Sequence, residues 1–178
     1  MELLIGCGSE WSKRVGLDDA SREWIELVTC DVNPSHNPDV VADLNIVPWP
    51  WKDEQFAEVH AYEVLEHLGH MGNAVEFFET FSEIWRILEP DGLLCATVPS
   101  PTSPWWLGDP SHTRVIHPAT LTFLQQSEYE AQVGVTAMSD FRHIYSADFE
   151  VVWTNVDSMT FSFILRAKKA VPLTVVKA

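Results

Sequence analysis

A short apolar strand that ends in a glycine loop is the feature that most constrains how this chain folds. Residues 2–5 are Glu-Leu-Leu-Ile, and Gly6-Cys7-Gly8 follow at once. Glycine has no Cβ atom, so a ligand can approach the backbone closely at such a loop. Open α/β sheets bind their ligands at the carboxyl ends of the strands. The start of the chain therefore predicts a first parallel strand with a binding loop at its tip.

The rest of the chain alternates strand patterns with one clear amphipathic helix. Between residues 73 and 88 the apolar side chains recur at steps of three and four, which is typical of a helix that buries one face. Pro90 and Gly92 are expected to end it. Further strands are predicted at residues 24–30, 39–42, 57–62, 93–98, 149–155 and 160–167, and a second helix at residues 118–126.

This order of elements predicts the fold class. Strands that alternate with helices form parallel sheets, and two final strands joined by a short turn form a hairpin. We therefore expect an α/β domain with a Rossmann-like, mostly parallel sheet and an antiparallel C-terminal hairpin. It is expected to span residues 1–170, with a C-terminal tail at residues 171–178.

Charge and composition narrow the partners. The chain has 26 acidic and 11 basic residues, for a formal net charge of −15. Such a surface repels phosphate backbones and anionic membranes, so nucleic acid and membrane are disfavoured as partners. The sequence has no apolar run of spanning length and no basic secretory leader, which favours a cytoplasmic protein. Cys7, Cys30 and Cys95 form no zinc-type pair, and we expect reduced, buried thiols.

Acidic residues follow three of the predicted strands. Asp31 ends the second strand, Asp43 the third and Glu63 the fourth. Because the tips of parallel strands meet at one edge of a sheet, these carboxylates are expected to face one pocket. An adenosine needs an acid that accepts both ribose hydroxyls and an acceptor for the adenine amino group. The pattern therefore predicts an adenosine site.

The glycine loop decides among adenosine ligands. A dinucleotide fingerprint places a third glycine three residues after the second, and Trp11 stands there. The loop also lacks the lysine and hydroxyl pair of a P-loop. A ligand without pyrophosphate fits better, and S-adenosylmethionine carries no phosphate.

Five segments of the chain stand out together: residues 3–8, Asp31, Asp43-Leu44, residues 62–67 and residues 85–94. In this order they resemble the motifs of class I S-adenosylmethionine-dependent methyltransferases. The resemblance covers residues 2–99, and the segment 109–114 resembles small bacterial and phage-type members. It implies S-adenosyl-L-methionine as cofactor. The residues it assigns to cofactor binding are Gly6, Cys7, Gly8, Asp31, Val32, Asp43, Leu44, Tyr62, Glu63 and His67.

The chain departs from the family pattern near its N-terminus. Family members usually carry helices before the first strand, whereas this chain begins at that strand. The segment between Gly8 and Trp24 is short and contains Gly16, so the helix after the glycine loop is expected to be stunted. The resemblance then implies an open cofactor pocket, or one covered by a second subunit or a partner.

The catalytic candidates are His112, His67 and Arg114. Methyl transfer is an in-line displacement, so a general base is needed only for a hydroxyl or a protonated amine. His112 is a candidate base, or else a residue that pins its loop. Arg114 is a candidate clamp for an anionic group, or else a partner of a nearby acid.

Three functions stay open at this point. The first is methyl transfer to an oxygen or nitrogen nucleophile of a small molecule or another polar acceptor. The second is a catalytically silent S-adenosylmethionine-binding module that regulates or activates a partner. The third is a nicotinamide-dependent reductase, which Trp11 disfavours.

Overall fold

The fold is a seven-stranded sheet with helices, seen in a computed structural model that describes residues 1–17 and 23–169. The tail predicted at residues 171–178 lies outside the described residues. The strands are β1 (Glu2–Ile5), β2 (Leu27–Asp31), β3 (Val40–Val41), β4 (Phe56–Tyr62), β5 (Leu88–Pro99), β6 (Phe149–Val156) and β7 (Thr160–Ala167). The α-helices are α1 (Ala74–Ile87), α2 (Trp105–Gly108) and α3 (Gln126–Gln132), and 3-10 helices span Pro34–His36, Leu65–His67 and Pro118–Leu124.

The sheet has the order β3-β2-β1-β4-β5-β7-β6. The first five strands are parallel, whereas β7 runs antiparallel to β5 and to β6. The predicted mostly parallel α/β sheet with an antiparallel C-terminal hairpin is confirmed. From β1 the chain first builds outward through β2 and β3 and then returns to form β4 on the other side. That reversal opens a crevice at the carboxyl ends of β1 and β4.

Helix α1 closes one face of the sheet. The Asn73 side chain caps it by accepting a hydrogen bond from the Glu76 amide, and its apolar stripe is buried in the main core. Phe81 is 1% exposed, and full burial of such a side chain stabilises the fold by about 1.5–3 kcal/mol. The amphipathic helix predicted at residues 73–88 is confirmed to within one residue at each end.

Two predicted element ends are wrong, for local reasons. The second strand begins at Leu27 rather than at Trp24, because Glu26 has a left-handed φ of 50° that breaks the extended backbone. Pro90 and Gly92 do not end α1. They lie in an irregular stretch of β5, where Asp91 has a φ of 61° and the pairing register with β4 shifts.

The helix predicted at residues 118–126 is also wrong in type. Pro118–Leu124 is a 3-10 helix, capped by the His117 side chain, and Gln125 is extended before α3 begins. The stunted helix expected after the glycine loop falls partly on residues outside the described ranges, and residues 9–17 contain no helix.

The three thiols are buried and unpaired, as predicted. Burial raises the pKa of Cys30 and of Cys95 to about 12, so both remain protonated. No helix within the described residues has the length and apolar character to cross a bilayer.

A buried polar network on the other face of the sheet ties residues 13–15 to β4. The Tyr62 hydroxyl oxygen accepts from the Arg14 and Val15 amides at 3.0 and 3.2 Å, so its own O–H donates to His60 Nδ1 at 2.7 Å. His60 Nε2 then carries the ring hydrogen and donates it to Glu58 at 2.9 Å. Tyr62 is therefore committed to this network.

Glu58 gives the network its pH dependence. Lys13 Nζ lies 2.7 Å from the Glu58 carboxylate and 2.9 Å from that of Glu2. The hydrogen bond from His60 lowers the pKa of Glu58 and burial opposes it, but Lys13 adds to the lowering, so the pKa falls from 4.5 to about 2. Because the folded-state value is depressed, this stabilisation is complete above the unfolded value and is lost as pH falls through about 2.

Glu58→Gln is expected to reduce the free energy of unfolding at neutral pH by about 2 kcal/mol. The deficit relative to wild type should shrink as pH falls from about 4.5 toward 2, where wild-type Glu58 itself becomes protonated. Urea unfolding at several pH values across this range measures the deficit in the free energy of unfolding. Glu150→Gln, which breaks the more exposed pair with Arg166, should change stability by less than about 1 kcal/mol. A Glu58→Gln deficit that is constant with pH would contradict the assignment.

Candidate functional site

A cleft of about 360 Å³ opens at the carboxyl ends of β1, β2 and β4. Its wall combines backbone from the glycine loop, carboxylates from the strand tips and apolar side chains. The lining residues are Gly6, Gly8, Asp31, Val32, His36, Ala42, Asp43, Leu44, Asn45, Glu63, Val64, His67 and Leu68. They include three carboxylates and no lysine or arginine, so the cleft suits a ligand without phosphate.

The two glycines of the loop differ in what surrounds them. Gly6 has a φ of +58°, and a Cβ atom there would lie 2.5 Å from Val64 Cγ2. Gly8 has a φ of +53°, but a Cβ atom there would meet no heavy atom of the described residues within 4 Å. Gly6 is thus required for packing against the segment after β4. Gly8 keeps the cleft side of the loop open.

Asp31 holds the loop and faces the cleft. Its Oδ2 accepts from the Gly8 amide at 2.8 Å and its Oδ1 from the Asn33 amide at 2.8 Å, while His36 Nδ1 lies 3.3 Å from Oδ2. Burial opposes ionisation, but the two amides and His36 outweigh it and lower the pKa of Asp31. Oδ1 keeps a second lone pair, so an ionised Asp31 can accept a further hydrogen bond from a hydroxyl group there.

Asp43 and its neighbours form the next part of the wall. Asp43 Oδ1 accepts from the Asn45 amide at 2.9 Å and from its Nδ2 at 3.1 Å. Asn45 Oδ1 in turn accepts from the Gly69 amide at 2.8 Å, which joins two loops across the cleft. Val32 is 64% exposed, so it offers apolar surface that a planar ring can cover.

The opposite wall is acidic. Desolvation raises the pKa of Glu63, whose φ of 54° turns the chain out of β4. Three residues on, the Glu66 side chain is buried, and no described group donates a conventional hydrogen bond to its carboxyl oxygens. Burial, the charge and the hydrogen bond of the neighbouring Glu63 carboxyl group, and the charge of Asp109 together raise the pKa of Glu66 to about 8.

His112 reaches this wall because its loop folds back onto the segment after β4. The amides of Thr113 and Arg114 both donate to the Glu66 carbonyl oxygen at 3.0 Å. The rings of His67 and His112 then pack edge to face with centroids 4.8 Å apart. The structure therefore brings these two predicted catalytic histidines together beside the cleft.

Three predicted site residues lie elsewhere. The Cys7 and Tyr62 side chains pack with Leu4 in a small cluster on the other face of the sheet. Arg114 lines a second cavity of about 310 Å³, and its guanidinium donates to three backbone carbonyl groups. Alternation explains Tyr62, because neighbouring strand side chains point to opposite faces.

Sequence reasoning missed two features of the site. Glu66 lies within residues 62–67, which carry one of the family-like motifs, but nothing in the sequence distinguishes its buried side chain from that of the cleft-lining Glu63. Val64 was missed as the side chain that packs on Gly6. Both depend on contacts across the fold, and no sequence signal could have identified them.

Solved structures share this architecture. An S-adenosylmethionine-dependent methyltransferase from Archaeoglobus fulgidus aligns over 93% of this chain and 85% of its own, with 18% identity and a TM-score of 0.57. One from Methanosarcina mazei aligns over 95% and 92%, with 15% identity and a TM-score of 0.59. A chain in the complex of the Haloferax volcanii Trm112 methyltransferase activator aligns over 96% and 82%, with 12% identity and a TM-score of 0.59.

No protein-family model matches the sequence, and no curated protein matches it. At this level of identity the likeness concerns architecture, and it agrees with the strand order and with the position of the cleft. The chain therefore has the Rossmann-like fold of class I S-adenosylmethionine-dependent methyltransferases.

Proposed function

We propose that this chain binds S-adenosylmethionine in the strand-tip cleft and transfers its methyl group to an oxygen or nitrogen atom of a small-molecule or other polar acceptor. The observation that carries the proposal is the cleft lining, which offers three carboxylates and no cationic side chain other than histidine. A dinucleotide or a nucleoside triphosphate would find no charge partner for its phosphates there. A sulfonium nucleoside fits this electrostatic environment.

The residues present fit that cofactor. Asp31 is ionised, and the spare lone pair on its Oδ1 suits a ribose hydroxyl. Val32 and Leu44 supply apolar surface for the adenine, and the Asp43 carboxylate stands beside them. The open space around Gly8 leaves room for the rest of the ligand. The volume of about 360 Å³ is within the range of cofactor pockets.

When bound, S-adenosylmethionine supplies a methyl group on a sulfonium, already activated for displacement. The residues of this chain then have to align the acceptor and exclude water, effects that contribute on the order of 7–11 kcal/mol at best. His67 lies on the cleft wall with His112 directly behind it. We assign these two imidazoles to the acceptor side of the site. Arg114 lies too far into the other cavity to share that role.

The alternative is a catalytically silent cofactor-binding module. It is compatible with the likeness to a chain from the complex of the Trm112 methyltransferase activator, in which the fold occurs beside a partner protein. The two functions differ in turnover. A screen of metabolites with methyl-labelled cofactor, repeated with a lysate fraction that supplies partners, separates them. Label transferred by the chain alone supports the enzyme.

The cofactor site is tested with Asp31→Ala. We expect S-adenosylhomocysteine to bind wild type at least as well as S-adenosylmethionine, and the variant to bind either at least about tenfold more weakly, since each lost charged hydrogen bond is worth about 1.5–3 kcal/mol. Isothermal titration calorimetry measures both ligands, with NADH alongside.

Asp39→Ala is the matched control. Asp39 accepts from the Thr29 amide and hydroxyl at 2.9 and 2.8 Å, so it is also a strand-edge acid with backbone partners, but it does not line the cleft. We expect it to keep wild-type affinity. Unchanged binding in a folded Asp31→Ala variant, or binding of NADH in place of the thioether, would refute the proposed site.

A further inference from the structure

The segment after β4 contains a buried carboxyl group that lacks a cationic or amide partner. Glu66 lies in the 3-10 helix Leu65–His67 and is 2% exposed, and no described group donates a conventional hydrogen bond to its side-chain oxygens. Its carboxyl group instead contacts that of Glu63, another acid. A bound cation is one group that compensates a buried carboxyl group in such surroundings.

Two imidazoles stand beside that carboxylate with nitrogen lone pairs to offer. His67 Nδ1 lies 3.1 Å from the Ser111 carbonyl oxygen, so Nδ1–H donates there and Nε2 keeps the lone pair. This arrangement, in which a backbone carbonyl fixes the tautomer, is the usual outer-shell support for a histidine that binds a metal. His112 Nε2 lies 3.9 Å from Glu66 Oε1, and its Nδ1 is buried and unpaired.

The surroundings are negatively charged. Asp109 Oδ2 lies 3.9 Å from His112 Nε2, while Asp109 Oδ1 is held by the Ser111 amide and hydroxyl. Glu63 adds a third carboxyl group on the cleft side. Several acids around two imidazoles repel one another, and a cation between them removes that repulsion.

A second group of similar residue types provides a contrast. Glu58, His60 and Cys95 also lie close together, but both His60 nitrogens and the Glu58 carboxylate already have hydrogen-bond or ion-pair partners. That group is satisfied without an ion. The group around Glu66 is not.

We propose that Glu66, His67 and His112 bind a divalent first-row transition metal ion of the Zn²⁺ type. One donor atom from each residue lies within 4.8 Å of the others, so modest side-chain movement brings all three to a common centre. Imidazole nitrogen and carboxylate oxygen are ligands that Zn²⁺ prefers, and two histidines with one glutamate form a known catalytic zinc set. Three protein ligands leave a coordination position for water or substrate.

The position of the proposed ion beside the cleft indicates what it would bind. His67 lines the cofactor cleft, so the open coordination position adjoins the site where the acceptor is expected. We assign to it the binding of an acceptor oxygen, and this assignment rests on the proposed function. Metal binding itself does not rest on it, because no part of the cofactor is involved.

The test titrates Zn²⁺ into EDTA-stripped protein by calorimetry, with Mn²⁺ and Mg²⁺ in parallel runs. We expect one equivalent of Zn²⁺ to bind, more tightly than Mn²⁺ and much more tightly than Mg²⁺. Glu66→Gln, which keeps the side-chain shape, should weaken Zn²⁺ binding at least tenfold, and so should His112→Asn. Zn²⁺ should raise the melting temperature of wild type but not that of either variant.

His70→Gln is the control for adventitious binding. His70 is an exposed imidazole next to Glu76, close in the chain but outside the group. The His70→Gln variant should have unchanged affinity for Zn²⁺. The proposal fails if Glu66→Gln binds Zn²⁺ like wild type, or if His70→Gln loses as much affinity as Glu66→Gln.

Two titrations of the wild type, one with Zn²⁺ and one with S-adenosylhomocysteine in EDTA, separate this proposal from the proposed function. If wild type binds Zn²⁺ but no S-adenosylhomocysteine, the proposed function is wrong and the metal site stands. If wild type binds S-adenosylhomocysteine but no Zn²⁺, the metal site is wrong and the cofactor site stands.

Discussion

Gly6→Ala is expected to lower the free energy of unfolding by about 2–5 kcal/mol, a large part of the stability of a domain of this size. A left-handed φ of +58° is unfavourable for alanine by about 1–2 kcal/mol. The new methyl group would also lie 2.5 Å from Val64 Cγ2, and overpacking of this kind adds about 1–3 kcal/mol. Urea unfolding followed by circular dichroism measures the change.

Gly8→Ala is the matched control, because it has a similar φ of +53° but no neighbour of the described residues within 4 Å. We expect it to lose only about 1–2 kcal/mol, the part that comes from the backbone. Val64→Ala combined with Gly6→Ala should cost less than the two single losses added together, since it removes the Cγ2 contact at 2.5 Å although Cβ of residue 64 stays 2.7 Å from the new methyl group. Equal losses at the two glycines, with additive losses in the double variant, would contradict the packing argument.

Arg114→Met is expected to lower the free energy of unfolding by about 3–5 kcal/mol. The buried guanidinium donates from Nε to the Leu68 carbonyl oxygen at 3.2 Å, and from Nη2 to those of His70 and Asn73 at 2.7 and 2.9 Å. Methionine keeps much of the aliphatic volume, but it leaves these acceptors without a charged donor. Thermal and urea unfolding measure the loss.

The same variant decides between two roles for Arg114. A residue that holds the loop before α1 changes stability strongly and cofactor affinity little, whereas a clamp for an anionic acceptor would change activity without unfolding the chain. Arg142→Met is the control, because its partner Asp140 is on the surface and its loss should change stability by less than about 1 kcal/mol. A stable Arg114→Met protein that has lost only turnover would instead support the role of Arg114 as a clamp for an anionic acceptor.

The pattern of apolar residues was sufficient for the architecture. Periodicity located α1 to within one residue at each end, and the near-continuous apolar run of β5 marked a strand buried in a parallel sheet. These signals are local, since the spacing of apolar residues along the chain sets which face is buried. The errors arose where backbone torsions decide the outcome. Glu26 and Asp91 adopt a positive φ that residue type alone does not predict.

The candidate site also has residues that the sequence placed correctly and residues that it did not. Gly6, Gly8, Asp31, Asp43 and Glu63 line one cleft because each lies at or within three residues of the carboxyl end of a parallel strand, and the order of the strands along the sequence is enough to place them. Strand alternation accounts for the face on which Tyr62 lies, although the resemblance had assigned it to the cofactor site. The place of Arg114 was not available from sequence, because it is set by hydrogen bonds to backbone far along the chain.

The sequence by itself determined the succession of strands along the chain and the acidic character of the strand tips, because both follow from local pattern and from which residue ends each strand. Tertiary structure alone decided that Glu66 is buried without a conventional hydrogen-bond donor and that His112 stands next to it. The loop that carries His112 returns across more than forty residues to bind the Glu66 carbonyl group. Contacts over such a separation depend on how loops pack, which no local pattern encodes.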